Sequence, residues 1–209
     1  MYRGMVRISC FVALLILGSL ALAQTEFSAE IVDTMKPDNP RHPKIYFAKD
    51  KMRIESGADA RGMGGVVVVN FTTQTSMVLI DQRHMYMEMP MQAAGGQRIT
   101  FNFFKTGDAE AACSDWLSQA RNNGGSCHKV GSDTVNGRST VKYEGTSTSG
   151  DSNTFWIDPK LRFPVKWAGK NNAGELRNIQ EGSQPASLFE IPAGYTKMDM
   201  GGMGQRPPQ

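Results

Sequence analysis

The sequence predicts a mainly β protein: a curved antiparallel sheet forming an incomplete, half-open β-barrel, with one covering helix. Three observations lead there. Apolar and polar residues alternate at period two along most of the chain. The connections between these runs are short and rich in turn residues, so consecutive strands pair antiparallel. Only one segment, Asp108 to Asn122, has helical spacing.

The first element lies outside that fold. Arg3 and Arg7 precede an apolar run, Ile8 to Ala23, that ends Ala21-Leu22-Ala23 before Gln24. A basic start, a short apolar stretch and small residues at −3 and −1 define a secretory signal peptide over residues 1–23. About sixteen apolar residues fall short of the ~20 that a membrane helix needs. Cys10 sits too early in the run for lipid attachment. The expectation is a soluble, exported, periplasmic protein with a single β domain over 24–200 and a disordered tail over 201–209. Cleavage removes two arginines and no acid, lowering the formal charge from +3 to +1. So small and evenly spread a charge argues against nucleic acid as a partner. Gly 22 and Pro 10 are ordinary for a globular chain and exclude a collagen-like one.

The strands follow in order. Phe27 to Val32 alternates as a half-buried strand does, and Lys36-Pro37-Asp38-Asn39-Pro40 is a turn. Lys44 to Ile54 carries Ile45, Phe47, Met52 and Ile54 at strand spacing. A flexible loop, Ser56 to Gly65, leads into Val66 to Phe71. That run and Met77 to Ile80 flank Thr72 to Thr75, a hairpin of β-branched, well-buried strands. His84 to Met89 and Thr100 to Phe104 are two further short strands. In the helix, Thr106 or Asp108 serves as cap, Cys113, Trp116, Leu117 and Ala120 share a face, and Gly124-Gly125 stops it. Asn136-Gly137 signals a type I′ hairpin, which needs φ > 0 twice. Thr140 to Thr146, Thr154 to Asp158, Phe163 to Ala168, Glu175 to Gln180 and Leu188 to Ile191 complete the strands.

Cleavage leaves two cysteines, Cys113 and Cys127. In an oxidising compartment they most simply form one disulfide, pinning the helix to the strand near Cys127. A metal or redox pair is the alternative, but the chain has no CxxC and only His128 is adjacent.

In the C-terminal half the motifs become specific. Val135-Asn136-Gly137-Arg138, Tyr143, Trp156-Ile157-Asp158-Pro159, Phe163-Pro164-Val165-Lys166 and Phe189-Glu190-Ile191-Pro192-Ala193-Gly194-Tyr195 resemble the LolA/LolB-like lipoprotein-carrier superfamily. The N-terminal half resembles it in layout, through Lys51-Met52-Arg53-Ile54 and Met85-Tyr86-Met87. The resemblance implies an incomplete antiparallel barrel around a helix, whose concave face holds a lipid or a lipoprotein acyl chain. It also makes an envelope membrane acceptor a candidate partner. Parity along the strands nominates the cavity lining: Phe27, Ile31, Met77, Leu79, Met85, Met87, Met89, Phe101, Phe103, Trp116, Trp156 and Trp167.

The methionines are the sharpest local feature. Met85, Met87, Met89 and Met91 alternate along one strand, among 13 in the chain. Three readings stand open: an ordinary core strand, a pliable wall for acyl chains, or a Cu(I) site using Met85, Met87, Met89 and His84, joined by Met198, Met200 and Met203. The tryptophans read as strand core or as ligand contacts. His42, His84 and His128 are too scattered for a zinc motif. Gly124-Gly125-Ser126-Cys127-His128 fails the GxSxG pattern, and Gly62-Met63-Gly64-Gly65 lacks the features of a phosphate loop. With no acid/base or nucleophile constellation, the expectation is a binding protein rather than an enzyme, without a cofactor. A ligand-free envelope interaction module is a further alternative.

Overall fold

The computed structural model describes residues 25–39, 42–57, 65–90, 106–119 and 123–198. The expected signal peptide, the strand at Thr100 to Phe104 with Phe101 and Phe103, Met91, Met200 and Met203, the middle of the 56–65 loop and the tail lie outside these residues. Among the described residues twelve strands form one sheet: β1 (Phe27–Asp33), β2 (Lys44–Ala48), β3 (Lys51–Ser56), β4 (Gly65–Asn70), β5 (Thr75–Ile80), β6 (Met85–Pro90), β7 (Ser126–Val135), β8 (Arg138–Thr146), β9 (Ser152–Asp158), β10 (Phe163–Gly169), β11 (Ala173–Glu181) and β12 (Thr196–Lys197). Their spatial order is β12-β6-β5-β4-β3-β2-β1-β11-β10-β9-β8-β7.

Two meanders therefore make the sheet. One runs outward from β1 to β6; the other returns from β7 to β11. They join where β11 pairs antiparallel with β1, for example Ile31 opposite Leu176. β7 and β12 are the edges and do not pair with each other among the described residues, so the sheet stays open, as the half-barrel expectation requires. Among the described residues all pairings are antiparallel except β12 on β6. The Asn-Gly turn has the expected geometry, with Asn136 at φ 49° and Gly137 at φ 77°.

Two expectations need correction. Leu188 to Ile191 is not a strand: Ala186–Phe189 forms a 3₁₀ turn. Pro185 and Pro192 bracket the segment and lack the N–H groups a ladder needs. Phe189 instead drops onto Val66, Val68 and Leu79. The helix is also shorter than its spacing suggests, with a 3₁₀ turn at Ala109–Ala111 followed by α1 (Ala112–Leu117). Asp108 caps it by accepting the Glu110 N–H at 2.9 Å. The buried Tyr143 hydroxyl donates to the Ala109 carbonyl at 2.6 Å, and the first turn tightens, with Ala111 N–H bonded to Asp108 O.

The main core gathers β1–β4 with β10 and β11. Phe27 and Phe47, both fully buried, lie with ring centroids 5.7 Å apart, and each sits 5.4 Å from Phe163. A second cluster packs α1 on β8 and β9, and a third lies under the 3₁₀ turn at Phe189.

Candidate ligand-binding face

The site follows from register. Between β1 and β6 the ladders have no bulge, so side chains directly opposite one another share a face. Phe27 and Ala29 face Phe47 and Ile45, these face Met52 and Ile54, and these in turn Val69 and Val67. Val67 and Val69 pair with Val78 and Ser76, and Ile80, Val78 and Ser76 with Met85, Met87 and Met89. One continuous face thus crosses six strands.

Its character changes along the way. At β1–β3 it is closed, because aromatic rings fill the space above it. At β6 Met85, Met87 and Met89 are only half-buried. Ser76, 1% exposed, interrupts the apolar wall there, and its Oγ has no hydrogen-bond partner among the described residues.

The nominated cavity residues do not form one lining. Phe27, Ile31, Trp156 and Trp167 belong to the main core, and Trp116 to the cluster under the helix. Met77 and Leu79 face the other way: they pair with Glu88 and Tyr86, and lie with Phe189 in the third cluster. That is the parity inversion to which a strand reading is vulnerable. Met85, Met87 and Met89 do share a face. His84 sits before them in the left-handed region, at φ 48°, with its ring edge-on to Tyr195.

At the opposite end of the sheet α1 packs over β8 and β9. Trp116 of α1 lies over Gly145 so closely that a Cβ there would sit 2.7 Å from its ring. Its ring stacks on Phe155 at 5.9 Å, which stacks on Tyr143 at 5.3 Å. Burial pushes the Tyr143 hydroxyl above its ordinary pKa. The disulfide Cys113–Cys127 ties α1 to β7 with Cα atoms 5.5 Å apart, as the cysteine count predicts. Lys129 of β7 pairs with Glu110, a contact that raises the ammonium pKa.

Polar groups stitch the strands behind this end. The Trp156 indole N–H donates to Asp133 at 2.7 Å and, with the Thr134 N–H, holds that carboxyl below its usual range. Lys142 and Lys166 stand over the same ring at 5.6 and 4.9 Å. Arg138 bridges the buried Asp158 and Glu181, and Lys160 also reaches Glu181. Asp158 further accepts the Lys160 and Leu161 N–H groups, closing the turn after the Trp-Ile-Asp strand.

On the other face, a shallow cleft of about 540 Å³ is lined by His42, Lys44, Arg53, Glu55 and Asp81 among others. Its charges are largely committed. Arg53 bonds Glu55 and the Leu188 carbonyl, and Asp81 accepts the Tyr195 hydroxyl at 2.7 Å, which raises the tyrosine pKa. Among the described residues no three His, Cys, Asp or Glu side chains group to hold a metal ion.

The described residues thus form an open, almost wholly antiparallel sheet with a helix packed near one end and methionines lining the other. Its fold is similar to that of an uncharacterized conserved protein from Thermus thermophilus, at a TM-score of 0.54 and 10% identity, over 85% of this chain and 91% of that one. A LolA superfamily protein from Nitrosomonas europaea is also among the matched structures. It aligns over 80% of this chain and 90% of that one, at a TM-score of 0.39 and 10% identity. The Pseudomonas aeruginosa MucA/MucB complex matches at 0.37 and 14% identity, over 82% of this chain and 57% of that chain. No family model matches the sequence, and no curated protein matches it.

Proposed function

We propose that this chain is an exported, non-enzymatic binding protein of LolA-like fold that holds an apolar ligand, a lipid or a lipoprotein acyl chain, against the β6 end of its sheet. One observation carries the reading: a single apolar face runs from fully buried at β1–β3 to half-buried at β6, where it is built of methionine. Unbranched thioethers repack around ligands of varying shape, whereas the stacked rings at Phe27 and Phe47 leave no such freedom. The aromatic end then serves as scaffold and the methionine end as the wall, with the Ser76 hydroxyl as a polar anchor. Holding an acyl chain needs no bond chemistry, only removal of the chain from water.

Export rests on the basic, short apolar leader at residues 1–23. No helix among the described residues is long and apolar enough to cross a membrane. Native mass spectrometry of gently purified protein, followed by titration with a fluorescent fatty acid, tests the reading. Co-purified lipid and saturable binding are expected; protein that carries no lipid and binds no fatty acid sinks it.

A further inference from the structure

We propose that Met85 and Met87 of β6, together with Met198 beside β12, form a site for one soft monovalent cation, Cu(I) or Ag(I). The sequence alone leaves this weak, since methionines two apart on one strand lie about 6.6 Å from each other. The structure adds a second strand. β12 runs parallel to β6, with Thr196 opposite Met85 and Lys197 opposite Tyr86. The Thr196 N–H donates to His84 O at 2.9 Å and the Met198 N–H to Tyr86 O at 2.8 Å.

That register fixes which side Met198 occupies. Lys197 bonds Glu88 at 2.8 Å, so it lies on the face of Tyr86 and Glu88. Met198, one residue on, falls on the opposite face, beside Met87 and next to Met85. Neighbouring strands are about 4.8 Å apart, so a thioether from β12 closes the gap that same-strand spacing leaves. Long, unbranched side chains let the three sulfurs converge.

The chemistry favours a soft ion. Thioethers are neutral, polarizable donors that favour Cu(I) over hard ions such as calcium or magnesium. Glu88, the one carboxylate of β6, lies on the other face and is occupied by Lys197. All three methionines are half-buried, partly screened from water but still reachable. Cys113 and Cys127 are joined to each other and do not compete for the metal. The site shares Met85 and Met87 with the proposed acyl wall; Met198 belongs to the cation site alone and separates the two readings.

Silver(I), which requires no reductant, is the probe. It is titrated into the full chain carrying Cys10→Ser and followed by native mass spectrometry and by spectra of methyl-labelled methionine. One bound ion is expected, with the methyl signals of Met85, Met87 and Met198 shifting. Met87→Leu and Met198→Leu should each weaken binding by about tenfold or more. Met77→Leu, on the opposite face, should leave it unchanged. Absence of stoichiometric binding overturns the proposal, as does an affinity insensitive to Met87→Leu and Met198→Leu. Fatty-acid binding by Met198→Leu reports separately on the lipid reading.

Discussion

The two ends of the sheet are built in opposite ways. At the β7 end the chain concentrates its strongest devices: a disulfide, a helix, a tryptophan seated on a glycine, and a stacked row of aromatic rings. At the β6 end it places two residues of parallel strand and a row of half-buried methionines. Rigid rings and a cross-link hold one shape, whereas thioethers and a short edge strand accommodate several. The contrast locates adaptability at β6 and stability at β7, on one continuous sheet.

The sharpest break in that comparison comes from removing the plug. Trp116→Ala deletes a buried ring and opens a cavity over Gly145, so a loss of about 3–5 kcal/mol is expected in chemical denaturation. A matching Met87→Ala removes a half-buried side chain, with a loss of about 1 kcal/mol. Equal losses at the two sites would erase the distinction.

Next in size is the cross-link. Replacing Cys113 and Cys127 with alanine frees the loop between them and should cost about 3 kcal/mol. Hydrogen exchange should quicken in α1 and β7 while protection in β2–β4 stays as it was. Uniform quickening across the sheet would show that the ends are not energetically separate.

The smallest effect concerns the ion network of Arg138, Asp158, Glu181 and Lys160. Lys160 and then Arg138 hold the Glu181 carboxyl below its ordinary pKa of 4.5. A depressed folded-state pKa gives stability that is present above that ordinary value and fades as the pH falls through the lowered one. The Tm difference between the wild type and Glu181→Gln should therefore be largest near neutral pH and close on acidification. Partial exposure and salt screening keep the effect to about 1 kcal/mol or less. A difference that widens in acid would refute the assignment.

Much of this architecture was legible in the sequence. Alternation placed most of the strands, the Asn-Gly pair placed a hairpin, and two cysteines implied their own bond. These signals are local, set by side-chain period, turn stereochemistry and redox compartment. The errors arose where local signals compete with distant partners. Phe189 reads as a strand residue until Val66, Val68 and Leu79 give it a surface to cover. β12 has no pattern of its own and exists because β6 offers an unpaired edge.

The candidate site divides in the same way. The sequence by itself determined the mainly β class, the disulfide and the shared face of Met85, Met87 and Met89, because each depends on residue spacing and type along the chain. Only the tertiary structure decided that Met77 and Leu79 face away, that Phe27 and Trp167 are packed core, and that Met198 comes to lie beside Met87. Strand register and pairing are properties of two segments together, and a one-residue change in either reverses a face.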